Sequence, residues 1–147
     1  MSKNEGESLA PQITRPELEQ VVTALLDRRN APEKLAPLLA PEAEWTMNGD
    51  KASWPYAGLR CRRDSILDYL TAFTVEFRQE NIRLISLLID REQACAQYEM
   101  HLRHRGTGRE GVLQALTFIR VEGDVVVEVH EFLDSALLFR LRESVGR

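Results

Sequence analysis

Apolar positions keep a helical spacing up to about residue 73 and an alternating one from about residue 82 onward. Leu18, Val21, Val22, Leu25 and Leu26 recur at the spacing that lines one face of a helix. Ahead of them Thr14, with Pro16 in the first turn and Glu17 three residues on, forms a helix-start signature. The helix is expected to end near Asn30. Pro32 opens a short second helix holding Leu35, Leu38 and Leu39, and Pro41 ends it. AEWTM, 43–47, reads as a strand, and NGDKASWPYAG as a loop. Asp64 is expected to cap a third helix carrying Ile66, Leu67, Tyr69, Leu70 and Phe73.

Four strands follow, over 82–89, 94–102, 112–121 and 125–133. DRE, GTGREG and EGD separate them and have hairpin length. A short C-terminal helix holds Leu137, Leu138 and Leu141. Helices first and a meander afterwards is an α+β order, not alternating βαβ. The expected organisation is a loose tail over 1–14, one domain over 15–142 and a short tail over 143–147. No repeat or low-complexity segment interrupts it.

Composition narrows the function. The chain has 147 residues, 44% apolar and 29% charged, which suffices for a core without disulfides. A net charge of −4 argues against a nucleic-acid binder. The clusters Arg60, Arg62, Arg63 and Arg103, His104, Arg105 read as solvated edges. Cys61 and Cys95 lack metal-ligand spacing and read as free thiols of a reducing compartment. No apolar run approaches the ~20 residues of a membrane span, and MSKNEGESLAPQ lacks the apolar stretch of a signal peptide. A cytoplasmic protein of bacterial type is expected. There is no Gly-rich phosphate loop, no G-x-S-x-G elbow and no H-E-x-x-H. His101 and His104, three apart on a strand, point opposite ways and make a poor metal pair. A site without metal or cofactor is expected.

The helix–helix–strand order, the segment YAGLRCRRDSILDYL and the run RHRGTGREGVLQALTFIRVEGDVVVEVHEFLDSALL resemble the SnoaL-like branch of the NTF2-like superfamily. The resemblance spans about 16–142. It implies a cystatin-like α+β cone: three N-terminal helices packed in a strongly bent antiparallel sheet, with a pocket between them and a short C-terminal helix. It does not fix an activity. The fold carries ketosteroid isomerases, polyketide cyclases, limonene-epoxide hydrolases and modules that only bind or dimerise.

Alternation assigns side chains to faces. In the last strand Val125, Val127, Val129, Glu131 and Leu133 share a face that is apolar except for Glu131. Two readings stand: a wet glutamate at the sheet rim, or a pocket acid, which an apolar setting would make costly to keep charged without a partner. No arginine is evident in sequence to offset that setting. The epoxide-hydrolase relatives imply a catalytic acid at the matching place. In the preceding strand Leu113, Ala115, Thr117 and Ile119 face the same side. Thr117 matches the isomerases' substrate-oxygen donor, and its hydroxyl is either that donor or satisfied locally. The isomerases' proton-shuttling aspartate falls near Met47, and their first-helix tyrosine is absent, both against steroid isomerisation. Ala94, Ala96, Tyr98, Met100 and Leu102 form the apolar face of the strand before. His101 then faces outward unless a bulge reverses it. The hydrolases' arginine–aspartate pair is missing there.

Trp45, Trp54 and Tyr56 suit an apolar small molecule, with indole N–H and phenol O–H to orient it; ordinary core packing is the competing reading. Trp54 and Tyr56 are expected at the pocket mouth in a mobile loop. The catalytic candidates are therefore Glu131, Thr117 and Tyr56, with His101 behind them. The ligand-binding candidates are Trp45, Met47, Trp54, Tyr98, Met100 and Val129. The expected function is acid–base catalysis without cofactor on an apolar small molecule, of isomerase, cyclase or hydrolase type. The alternative is a non-catalytic binding or dimerisation module. The opposite face, with Leu116, Phe118, Val126 and Phe132, is too apolar for water, so a homodimer through it is expected.

Overall fold

The computed structural model describes residues 12–52 and 54–143. The expected tails therefore lie mostly outside the described residues. Helix α1 is Arg15–Leu26. Helix α2 is only Pro32–Leu35, continued by a 3-10 turn over Ala36–Leu38. Strand β1 is Leu39–Met47, β2 is Gly58–Cys61 and helix α3 is Arg63–Glu76. Strands β3, Phe77–Asp90, β4, Gln93–His104, β5, Glu110–Glu122, and β6, Val125–Leu133, precede helix α4, Ser135–Arg142.

Thr14 forms the expected capping box: its hydroxyl accepts from the Glu17 amide at 3.2 Å and its amide donates to the Glu17 carboxylate at 2.9 Å. Helix α1 stops at Leu26 rather than Asn30, because Asp27 is extended and its carboxylate turns the chain by accepting from the Arg29 amide at 3.0 Å. Leu39 belongs to β1, not to the second helix. Pro41 lies inside β1, where the register shifts between Leu39 and Glu44 and no ladder donor is required. Helix α3 begins at Arg63 after Arg62 at φ 81°, so Asp64 sits in the first turn instead of capping it. Strand β2, absent from the expectation, is a four-residue edge within the expected loop and helix approach.

The fold is α+β, with one six-stranded sheet in the order β2-β1-β6-β5-β4-β3. It is mixed, not wholly antiparallel, because β1 and β6 run parallel. Helix α3 packs on β1 and β3, α1 on β4, and α4 on β4 and β5. Alternation holds where the register is unbroken. Ala94, Ala96, Tyr98, Met100 and Leu102 are buried, as are Leu113, Thr117 and Ile119. Near the Arg120/Val121 shift it fails. Val126 is fully buried and does not belong to the outer patch, which keeps Leu116, Phe118 and Phe132 and adds Val112 and Leu88.

The register sets one row across the inner face: Met47 opposite Glu131, Glu131 opposite Thr117, and Thr117 opposite Ala96. Asn48 fastens this row. Its amide donates to the Glu131 carbonyl at 3.0 Å and its side-chain oxygen accepts from the Leu133 amide at 2.8 Å. Asn48→Ala leaves the Leu133 amide unanswered, and urea denaturation should show a loss of about 1–3 kcal/mol. An unchanged midpoint would mean that packing alone holds the end of β6.

Candidate functional site

Glu131 points inward and is completely buried. This settles the choice between rim and interior. It is not isolated, however: the expectation of an acid without an arginine fails at Arg28. That side chain enters from the turn after α1, and its Nη2 donates to Glu131 Oε2 in a buried ion pair. The Tyr69 hydroxyl, from α3, donates to Glu131 Oε1 at 2.8 Å and accepts from Arg28 Nη1 at 3.3 Å. A carboxylate, a guanidinium and a phenol thus close a triangle inside an aromatic lining. The Arg28 guanidinium stands 4.7 Å from the Phe73 ring centre and 5.9 Å from that of Trp45.

The turn aims Arg28. Its amide donates to Gln79 Oε1 at 2.8 Å, and Gln79 Nε2 donates to Asp27 Oδ1 at 3.2 Å. Arg29 folds back on Asp27 with Nε and Nη2 both at 2.9 Å. One arginine therefore goes out and its neighbour goes in. Among the described residues two buried donors have no partner: Nε of Arg28 itself and Nε1 of Trp45.

The other candidates fall into three places. Thr117 is buried beside Glu131 in the row, and its hydroxyl is 2.6 Å from the Tyr98 hydroxyl, so it is satisfied locally. Trp45, Met47, Trp54, Tyr98, Met100 and Val129 are all in the buried interior. Trp54 is packed inside rather than at an open rim. It is 1% exposed, and its indole donates to Met47 Sδ at 3.3 Å, with the Arg142 guanidinium 5.0 Å over its ring. It does form one wall of a surface groove of about 370 Å³ against Ser135, Ala136 and Phe139. Tyr56 is half-buried and stacks edge-on against Tyr69 and Trp54, but its hydroxyl leaves the site and donates to Glu76 Oε1 at 2.8 Å. His101 is on the outer face, 3.1 Å from Glu110, and has no part in the interior.

Glu76 anchors a second cluster that the expectation of a solvated edge overlooked. Its Oε2 accepts from His104 Nε2 and Arg142 Nε, both at 2.8 Å. His104 Nδ1 accepts from the Thr107 amide at 3.1 Å, which places the ring proton on Nε2. Arg60 is likewise occupied, with its guanidinium 4.4 Å from the Tyr69 ring centre and Nη1 2.6 Å from the Tyr56 carbonyl. Among the described residues no cluster of three His, Cys, Asp or Glu could hold a metal ion, and no helix is long and apolar enough to cross a membrane.

Arg28, Tyr69, Gln79 and Glu76 were missed. Arg28 carried a signal, since it lies three residues beyond Leu25 and seven beyond Val21, on the apolar stripe extended past the helix end. Tyr69 was legible as core, and only its hydroxyl went unread.

The mixed sheet, with helices on one face and polar residues buried between, defines an NTF2-like α+β protein. Residues 18–129 match the SnoaL-like domain, and the chain belongs to that family. No curated protein sequence matches it. Its fold is shared with an NTF2-like protein from Burkholderia thailandensis, at 21% identity and TM-score 0.72 over 89% of this chain and 99% of that one. A candidate isomerase from Rhodopseudomonas palustris is similar at 18% identity and TM-score 0.72, over 83% and 92% of the two chains. A candidate SnoaL-like polyketide cyclase from Jannaschia is similar at 11% identity and TM-score 0.71, over 86% and 91%.

All three tyrosines ionise above their ordinary value. Burial is the main cause for each; the Glu131 charge adds to it for Tyr69 and Tyr98, and Glu76 for Tyr56, which is pushed up to about 12. The neutral hydroxyls thus stabilise the fold below the unfolded value of about 10, and that contribution is lost as pH rises through about 12 for Tyr56 and higher still for Tyr69 and Tyr98. Ultraviolet titration of native protein should show no tyrosinate step near 10, and urea-unfolded protein should show all of it; a native step at 10 would place a phenol in water. Stability gives a second check. Arg28→Met and Glu131→Leu should each cost about 3–5 kcal/mol, and the double variant far less than their sum, because each single change strands a buried charge.

Proposed function

We propose that this protein is a small-molecule enzyme working by acid–base catalysis without a cofactor on a substrate with an apolar body. The observation that supports it most is the buried Glu131–Tyr69–Arg28 triangle, with the rings of Trp45 and Phe73 against its guanidinium. A buried ion pair is a poor device for stability, since apolar residues of similar volume serve as well or better. It supplies what proton transfer needs. Glu131 offers carboxylate oxygens as proton acceptors, one of them 2.8 Å from the Tyr69 hydroxyl. The Tyr69 phenol, held neutral by burial, is ready to donate. In this reading Glu131 takes a proton from carbon next to a carbonyl, Tyr69 stabilises the enolate oxygen through its O–H, and Glu131 returns the proton to the same or another carbon. Isomerisations and cyclisations share this step. Trp45, Met47, Tyr98, Met100 and Val129 would line the substrate, with Thr117 reaching it only by turning from Tyr98. Tyr69 takes the donor role for which the sequence offered Thr117 or Tyr56.

A second reading, a non-catalytic module, draws support from Trp54 and Met47, which fill the interior and bond to each other. The two free cysteines fit a cytoplasmic setting for either reading. In either, a second copy would cover the exposed outer patch of Val112, Leu116, Phe118 and Phe132. Sedimentation should give twice the 16.8 kDa chain mass, and Phe118→Glu should return it to one.

Proton abstraction can be read without knowing the substrate. In D2O, apolar ketones should exchange α-hydrogens faster with the protein than with buffer, and Glu131→Gln should slow that excess by about 10²–10⁴-fold. Exchange that is the same in wild type, Glu131→Gln and buffer would leave the non-catalytic reading.

A further inference from the structure

Where α1 ends, a groove of about 320 Å³ runs between that turn, the end of α3 and the start of β3, at the small end of ligand-sized sites. Its lining includes three buried residues, Arg28, Phe77 and Gln79, which form its floor. Arg29, Arg78 and Arg105 stand around them, with Glu80 as the one acid. Arg29 is held by Asp27, and Arg78 lies 3.6 Å from Glu80. Arg105 has no carboxylate partner among the described residues; its Nε donates to the Thr74 carbonyl at 3.0 Å. The wall is net positive, and Arg28 passes from its floor into the interior.

Arg28 keeps one of its donors unpaired among the described residues. Its Nη atoms serve Glu131 and Tyr69, while Nε has no acceptor, and neither does Trp45 Nε1. One donor without an acceptor among the described residues thus belongs to the guanidinium that floors the groove, and the other to an indole whose ring centre is 5.9 Å from it. A buried donor that lacks a partner costs stability, so such a pair marks a place where oxygen belongs.

We propose that this groove is the way into the interior and that the site takes a small molecule with an apolar body and one carboxylate. The incoming carboxylate competes with Glu131 for the Arg28 guanidinium, bidentate through Nε and one Nη, and Trp45 Nε1 donates to it or to a neighbouring carbonyl. Arg105 draws the anion in. Arg28 is then a stopper that moves outward only for a ligand able to replace Glu131. This rests on the acid–base reading for one point, namely what the released Glu131 does next.

The test uses Trp54→Phe protein, in which Trp45 is the sole tryptophan. Cyclohexylacetate, which is transparent in the tryptophan band, should change the emission saturably, and its neutral isostere cyclohexylacetamide should bind tenfold or more weakly, the effect of about one charge-assisted hydrogen bond. Arg28→Gln should erase the preference for the acid. Glu131→Gln should tighten acid binding several-fold, since it removes the internal competitor. Arg105→Gln keeps the test decisive if Arg28→Gln does not fold: acid binding should weaken and lose much of its salt dependence. Equal binding of acid and amide, no saturable change with either, or a preference untouched by both arginine changes overturns the proposal. Loss of hydrogen exchange in Glu131→Gln with acid selectivity intact supports it and the catalytic reading together. Acid selectivity without any exchange activity supports this site while removing that reading.

Discussion

The rest of this structure is arranged around one desolvated ion pair. Arg28 and Glu131 are both withdrawn from water, and neither could be without the other, because an uncompensated buried charge costs more than most small domains have to spare. Several otherwise odd features follow from keeping the two together. Helix α1 stops early so that the residue after Asp27 can turn inward. Gln79 stands inside the barrel of side chains to hold that turn by its backbone. Asn48 pins the strand end that presents Glu131. Tyr69 brings a hydroxyl into a helix face otherwise occupied by Ile66, Leu70 and Phe73. Around them lie aromatic rings, which accept a cation against their faces at less cost than aliphatic chains would.

What could be read in sequence, and what could not, divides by range. Faces of β4 and β5 followed from simple alternation because no bulge interrupts their pairing over Gln93–Arg103 and Arg120–Glu110. Glu131 was legible for the same reason, as the one acid among valines. Val126 was misplaced because an extra residue at Val127, opposite the Arg120/Val121 step of β5, reverses the count, and nothing local announces such a shift. The partner of Glu131 was out of reach for a different reason. Arg28 is 103 residues away, and pairing at that distance is a property of the closed fold. The helical stripe running through Val21 and Leu25 onto Arg28 was the single local hint. Trp54 shows the limit of composition: an aromatic beside proline and glycine looks like a loop rim, yet the loop folds inward and seals the interior.

The polar residues form two separate systems with different surroundings. The triangle at Glu131 is wholly enclosed, while Glu76, with Tyr56, His104 and Arg142, is partly open to water. The second gathers the end of α3, the end of β4, the aromatic loop and α4 onto one carboxylate. Tyr56 and Tyr69 touch edge-to-face between the two systems, so aromatic contact rather than a continuous hydrogen-bond chain connects them. That separation lets the outer cluster hold the frame while the inner one is available for chemistry.

The distance in sequence between Arg28 and Glu131 also bears on how the chain is made. During synthesis Arg28 emerges long before the strand that carries its partner, and until β6 is docked that guanidinium has no dry place to go. An N-terminal intermediate therefore has to leave the turn after α1 solvated, with Phe73, Trp45 and Tyr69 still lacking their central contact. Closing the interior is a late event that joins the two ends of the domain at once, and it carries the loop-closure cost of a contact between distant residues. Once made, that closure does not come apart at no cost: freeing either end without a replacement partner leaves a charge uncompensated. A chain cut short before β6 would be left with its hydrophobic interior open and its arginine in water, a state for chaperones and proteases rather than a smaller version of the fold.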